Sequence, residues 1–275
     1  MKSQLLGTAL ALFAVAANAQ ITENAADAVK NMGLGWNLGN TLDANSGWGS
    51  DFNKESYWGT QGIESETHWG QAFTTNELMA MMKGAGFGAI RVPATWFNHM
   101  DIDGNVDPAW MNRVHEVVDY VISNDMYCIL NVHHDTGAGN SWIKADADNF
   151  AVNQQRYENL WSQIANVFSD YGEKLIFESY NEMLDKYNSW CFATFASPKK
   201  YDAEEAVKAY EGLNSYAQSF VNVVRASGGN NSTRNLIVNT YAAANGYGNW
   251  SKYLQEPLTE LQLPTDEAGE GHLIV

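Results

Sequence analysis

The chain has 275 residues, a formal net charge of −16, and a heavy load of rings: 10 Trp, 13 Tyr and 11 Phe. That length supports one sizeable core without staples, and so acidic a surface argues against nucleic acid and anionic membranes as partners. A neutral substrate suits it better. The surplus aromatics suit flat, uncharged ligands such as sugar rings, whose C–H faces an aromatic ring can cover.

Residues 1–19 read as a secretory signal peptide. Lys2 gives the positive start, Leu5 to Ala17 the apolar core, and Ala17-Asn18-Ala19 the small-x-small cleavage site before Gln20. The apolar run is too short to span a bilayer, and no Cys follows it to take a lipid. Residues 20–275 are therefore expected to form one exported, soluble domain, extracellular or periplasmic. Cys128 lies in an apolar strand-like run and Cys191 in an aromatic loop. Two cysteines make no framework, so free thiols are expected, although export permits a bridge.

From Gly33 the chain repeats a pair, a short apolar run followed by an amphipathic helix. Gly33 to Gly39 is the first predicted strand, followed by a Gly- and Trp-rich loop from Asn40 to Gly70. Thr74 and Thr75, with Glu77 behind them, open a helix through Leu78, Met79 and Met82 that Gly84 and Gly86 stop. A strand from Phe87 to Val92 ends at Pro93. Asp107-Pro108 starts the next helix, with Trp110, Val114, Val117, Val118 and Val121 as its buried stripe. The third strand is Tyr127 to Val132, and the helix after it carries Tyr157, Leu160, Trp161, Ile164 and Phe168 on one face. Leu175 to Glu182 is the fourth strand. A long helix with Tyr210, Leu213, Ala217, Phe220, Val221 and Val224 follows and ends at Gly228-Gly229. Asn235 to Tyr241 is the fifth strand, and His272 to Val275 begins a sixth.

Strands alternating with helices predict an α/β fold with a parallel sheet. A doubly wound nucleotide-binding sheet would place a Gly-rich phosphate turn between the first strand and its helix. Here a long Trp-rich loop stands there instead. The reading is a (β/α)8 TIM barrel, for which the chain supplies about five βα units and the start of strand 6, so that a truncated reading frame is expected.

Polar residues at strand exits mark where such a barrel puts its chemistry. They are Asn37 and Asn40 on the first strand, Arg91 on the second, and His133, His134 and Asp135 on the third. Asn181 and Glu182 follow on the fourth, and Asn239, Thr240 and Tyr241 on the fifth. Each alone is weak; their coincidence at successive exits is the signal. His133 and His134 also invite a metal. Neighbours on a strand point to opposite faces, however, and no zinc-protease spacing follows, so no metal is expected. Trp96, Trp142 and Trp190 are candidate stacking platforms, with packing under loops as the competing reading. Glu178 shares strand parity with Glu182 and reads as a buried partner for Arg91, roughly 13 Å back down the strand.

These blocks together resemble glycoside hydrolase family 5, and within it the subfamily 4 endoglucanases, from about Met32 onward. They are Gly35-Trp-Asn-Leu-Gly-Asn-Thr-Leu-Asp-Ala44, Glu66-Thr-His-Trp-Gly70 with Thr74-Thr75, and Ile90-Arg-Val-Pro93 with Thr95-Trp96. Ile129-Leu-Asn-Val-His-His-Asp135, Asn181-Glu182 and Val238-Asn-Thr-Tyr-Ala242 complete the series. The resemblance implies retaining hydrolysis of internal β-1,4-glucosidic bonds, with Glu182 as acid/base. It also implies that Asn181 bonds the sugar 2-hydroxyl and that Arg91 orients the nucleophilic carboxylate. By the same resemblance His133 and His134 line the cleaved-bond and adjacent sites, and Asn40 and Asp43 touch sugar on the non-reducing side; Trp96 is added as a platform from its position beyond the second strand. No cofactor is implied, because two carboxylates and water suffice. The partner is a β-glucan, and a monomer is expected. Met183 stands where the family usually has Pro. The family's His-x-Tyr pair on strand 6, nucleophilic Glu on strand 7 and Trp on strand 8 have no counterpart in this sequence, so the fragment by itself is expected to be inactive and unstable. Alternatives are a xyloglucanase, xylanase or mannanase of the same family, or a non-catalytic glycan-binding remnant.

Overall fold

The computed structural model describes residues 21–45, 58–137, 141–190, 202–244 and 260–275; the predicted signal peptide and Cys191 lie outside them. Six strands form one wholly parallel sheet in sequence order: β1 (Gly35–Asn37), β2 (Ala89–Val92), β3 (Tyr127–Asn131), β4 (Leu175–Glu178), β5 (Leu236–Ile237) and β6 (Leu273–Ile274). The helices are α1 (Ala25–Met32), α2 (Asn76–Gly84), α3 (Pro108–Ser123), α4 (Ala147–Val167) and α5 (Ala203–Ala226). A parallel neighbour can be reached only by a crossover, and right-handed strand twist directs each crossover helix to the same side of the sheet. This is the arrangement of a (β/α)8 barrel carried through six strands.

Strand parity sorts the side chains. Ile90, Val92, Cys128, Leu130, Leu175, Phe177 and Leu236 point outward into the large core beneath α3, α4 and α5. Their neighbours Ala89, Tyr127 and Ile176 point inward and form a second, smaller cluster with Ala28 of α1, with Ile129, Ile237 and Ile274 packed at its margin. The two faces are both buried, which is why the strands read as continuous apolar runs rather than alternating ones. The α3 stripe is as predicted: Trp110, Val114, Val117, Val118 and Val121 are all fully buried. Asp107 caps that helix by accepting a hydrogen bond from Ala109 N, with Pro108 in the first turn. Thr75 caps α2 through Leu78 N.

Two features differ from the sequence expectation. The strands are shorter; β4 stops at Glu178 rather than Glu182, and bonds from Ser179 N to Ile237 O and from Asn181 N to Val132 O carry the backbone on to a tight turn (Met183 N to Asn181 O, 3.0 Å). An additional helix, α1, closes the end of the sheet where the strands begin. Ala25 N donates to Gly271 O at 2.6 Å, and Tyr127 Oη donates to the Glu23 carboxylate. Gly88 is required there, since a Cβ would sit 2.2 Å from Met32 O. Only Ala25 and Ala28 of α1 are buried, too thin a stripe to show as periodicity.

Candidate active site

The inward parity that builds the floor also carries polar residues to the opposite end of the strands. Arg91, Asn131 and Glu178 occupy the last inward positions of β2, β3 and β4, and the register pairs Asn37 with Arg91 and Asn131 with Glu178. They form one network. Glu178, 3% exposed, accepts from Arg91 Nε at 2.6 Å and Arg91 Nη2 at 2.7 Å. Asn239 Nδ2 reaches it at 2.8 Å and Asn131 Nδ2 at 3.3 Å. A fork-to-carboxylate pair of this kind is strong and directional. Arg91 extends outward from it, Nη1 to Asn37 Oδ1 and Nη2 to Asn181 Oδ1, both at 2.9 Å. Burial strips solvent from Arg91, yet the bonds and charge of Glu178, and then the charges of Glu182 and Asp43, raise its pKa above the ordinary value.

Above this layer the loops after β2 and β3 are laced together. His133 N donates to Ala94 O at 2.8 Å, and His134 N to Thr95 Oγ1 at 3.3 Å. Asp135 is fully buried and accepts from Trp96 N, Phe97 N and Trp142 Nε1. Burial pushes its pKa up to about 6, against those three donors, which favour the ionised form. Burial, followed by the nearby His134 and Arg91, holds His133 well below the ordinary histidine value, so it is neutral. His134 Nε2 lies 3.4 Å from Asp43 Oδ2. Asn40 takes the left-handed conformation (φ 61°), one that asparagine tolerates. With Asn37, Asp43, His133 and His134 it lines a cavity of about 520 Å³.

Glu182 leaves the sheet four residues beyond β4, half-buried, with its charge felt by Arg91. Among the described residues no donor reaches its carboxylate. The structure thus brings Asn40, Asp43, Arg91, His133, His134, Asn181 and Glu182 to one end of the sheet.

Trp96 is a correction. Its indole is fully buried, with Nε1 donating to Asn131 O at 3.0 Å, so it packs the core under the loops and offers no face to a sugar. Trp142 is likewise buried, and only Trp190 of the three is exposed. The residue that does line the cavity is Trp69, half-buried, its ring 5.2 Å from that of His134 and its Nε1 bonded to Asn45 O. Its place in the Glu66-Thr-His-Trp-Gly70 block was the signal that set it apart from the other tryptophans of that loop. Asn131 was also missed, although its inward parity at the end of β3 was a usable signal.

The alternation argument against a metal does not hold here. β3 ends at Asn131, so His133 and His134 lie beyond it with ring centres 4.5 Å apart, and with Asp43 their ligand atoms fall within 4.8 Å of one another. A different observation weighs against the trio. Ala94 N donates to Asn131 Oδ1, so the amide end facing His133 Nδ1 at 3.0 Å is the NH2. His133 Nδ1 is therefore an acceptor and its Nε2 carries the proton, leaving that imidazole no free lone pair for a cation.

Comparison with known proteins accords with this geometry. The model of the cellulase family, glycosyl hydrolase family 5, matches residues 51–275. Endoglucanase B of Clostridium cellulovorans is 38% identical over 220 residues, 78% of this chain and 42% of the relative. Endoglucanase B of Ruminococcus albus is 36% identical over 249 residues, 88% of this chain and 51% of the relative; the chain thus spans about half the length of these curated relatives. Among solved structures, a broad-specificity endoglucanase of subfamily 4 from an uncultured bacterium superposes with TM-score 0.84 at 58% identity, covering 93% of this chain and 67% of that one. A Prevotella bryantii family 5 enzyme, solved with a xyloglucan tetradecasaccharide, gives TM-score 0.78 at 47% identity over 93% of this chain and 66% of its own. With six parallel strands in barrel order and these relatives on both counts, the chain belongs to glycosyl hydrolase family 5, the cellulase family.

Proposed function

We propose that this site serves the retaining hydrolysis of internal β-1,4-glucosidic bonds in cellulose or mixed β-glucan, on an exported protein. The observation that carries the reading is the convergence of Arg91, Asn181, His133 and Glu182 on the strand-exit end of the sheet, beside a polar cavity with an aromatic wall. Glu182 is the acid/base: it protonates the leaving glycosidic oxygen, then deprotonates the water that frees the sugar. A half-buried carboxyl suits both steps, since no donor among the described residues competes for it. Asn181 is held by Arg91 through its oxygen, which turns its NH2 outward as a donor to a sugar hydroxyl. Retaining chemistry needs a second carboxylate roughly 5–5.5 Å from the first. Asp43 is bonded to Thr41 N and paired with His134, and Glu178 is spent on Arg91, so neither is available. Neither carboxylate that converges on this end of the sheet with Glu182 is free to act as that nucleophile.

Two measurements test the reading. Titration of residues 20–275 with cellotetraose should give saturable binding, and no binding to glucan, xyloglucan or mannan oligosaccharides would overturn it. Assay of the same chain on barley β-glucan and carboxymethylcellulose should give no turnover; clear turnover would refute the missing nucleophile. In a protein with the whole barrel, Glu182→Gln should lower kcat by about 10²–10⁴-fold. A second reading, action on xyloglucan, has one specific support: the Prevotella relative was solved with that ligand. A reducing-sugar panel separates the two.

A further inference from the structure

Glu178 lies beneath the cavity with no face on it, yet two of the donors it holds reach groups that line it: Arg91 bonds Asn37 Oδ1 at 2.9 Å, and Asn131 meets His133. Arg91 carries the chain of bonds to Asn181 Oδ1 at 2.9 Å. Asn131 Nδ2 is shared between Glu178 Oε1 and His133 Nδ1, at 3.3 and 3.0 Å. Asn239 Nδ2 binds Glu178 Oε1 and also Tyr180 O at 2.5 Å, the carbonyl next to Asn181-Glu182, while Tyr180 Oη returns a bond to Asn239 O at 3.0 Å. An ionised carboxylate is acceptor-only. It therefore requires that three side chains present N–H inward, a role it shares at Asn131 with Ala94 N, which donates to Asn131 Oδ1 at 3.2 Å.

We infer that Glu178 is a positioning residue that fixes the hydrogen-bond polarity of the cavity, locking Asn181 with its NH2 outward and His133 as the Nε2–H tautomer. His133 on the cavity wall and Asn181 beyond it then present donors, which match the lone pairs of sugar hydroxyls and glycosidic oxygens in a neutral, oxygen-rich ligand. The effect is electronic as well as spatial. If His133 Nδ1 carried the proton instead, two N–H groups would oppose each other at 3.0 Å, and Nε2 would turn from donor to acceptor.

The inference rests on the sugar-site reading for its ligand but not for its structural half, and Glu178→Gln separates the two. Glutamine keeps the volume but offers one acceptor oxygen and two unwanted donors, so it cannot serve Arg91, Asn131 and Asn239 together. In ¹⁵N-imidazole spectra of the full chain, the wild type should show His133 as a single Nε2–H tautomer from pH 6 to 8. Glu178→Gln should show a mixture or the Nδ1–H form, with cellotetraose affinity at least tenfold weaker. A second variant, Asn131→Leu, leaves the Arg91–Glu178 pair in place and should release the tautomer by removing the relay between Glu178 and His133, and the wild-type tautomer keeps the test open if Glu178→Gln fails to fold. A folded Glu178→Gln protein with unchanged tautomer and affinity would overturn the proposal. So would a wild type in which His133 carries its proton on Nδ1. If the wild-type tautomer is as stated but no oligosaccharide binds, the polarity lock stands and the sugar assignment fails.

Discussion

Single residues here divide by where their atoms end, not by their type. Trp96 and Trp69 are both tryptophans in loops beside the same cavity, yet one is sealed in the core and the other lines the wall. Trp96→Ala should therefore cost stability, about 3–5 kcal/mol in chemical denaturation, by opening a cavity under Asp135. Trp69→Ala should leave the unfolding midpoint nearly unchanged and weaken cellotetraose binding about tenfold, the equivalent of about 1.4 kcal/mol in a titration. Equal effects of the two on stability would show that Trp69 packs rather than binds. Strand-exit position made Arg91, His133, His134, Asn181 and Glu182 legible in the sequence, because exit from a buried strand is a property of local order. Trp96 was misread for the complementary reason: no local pattern says on which side of a loop an indole is covered.

At the scale of elements, caps and stripes were readable, and close approaches were not. Asp107, Thr75 and the α3 stripe could be named because their partners lie within one turn. The short α1 escaped notice, since its two buried alanines are covered by segments far along the chain, including Gly271. Gly212 illustrates a contact of the same kind. It lies mid-helix in α5, where glycine is a poor helix former, yet an added Cβ would stand 2.4 Å from the backbone N and C of Asp146, the cap of α4. Gly212→Ala should gain helix propensity and still lose about 1–3 kcal/mol through overpacking. A higher unfolding temperature for that variant would show that the α4–α5 seam is looser than the structure has it.

For the molecule as a whole, buried neutral imidazoles contribute to the response to acid. His99 is fully buried, stacked on Trp110 with ring centres 3.6 Å apart, and burial drives its pKa down to about 3. His133 is lowered in the same direction. A histidine depressed in the fold contributes stability that is present above its unfolded value near 6.5 and lost as pH falls toward the folded one. Asp135, raised to about 6, works the other way: its contribution is present below its unfolded value and lost as pH rises through 6. Two histidines that take up a proton on unfolding outweigh one carboxyl that releases one, so from these groups the slope of stability against pH should be positive, with stability falling as the pH drops below about 6. His99→Gln should flatten that slope in pH-dependent unfolding; an unchanged slope would place the acid sensitivity elsewhere.

What the sequence determined by itself was the alternation of strand and helix, the family blocks and the polar exits, because each is encoded by neighbours within a few residues. Glu178 was legible as a partner for Arg91 from strand parity; only the tertiary structure decided that it also gathers Asn131 and Asn239, that the β3 loop sets His133 and His134 side by side, and that Trp69 rather than Trp96 meets the cavity. Those outcomes depend on register between strands separated by dozens of residues. The direction of a buried hydrogen bond is fixed by whichever donors the fold has gathered around it.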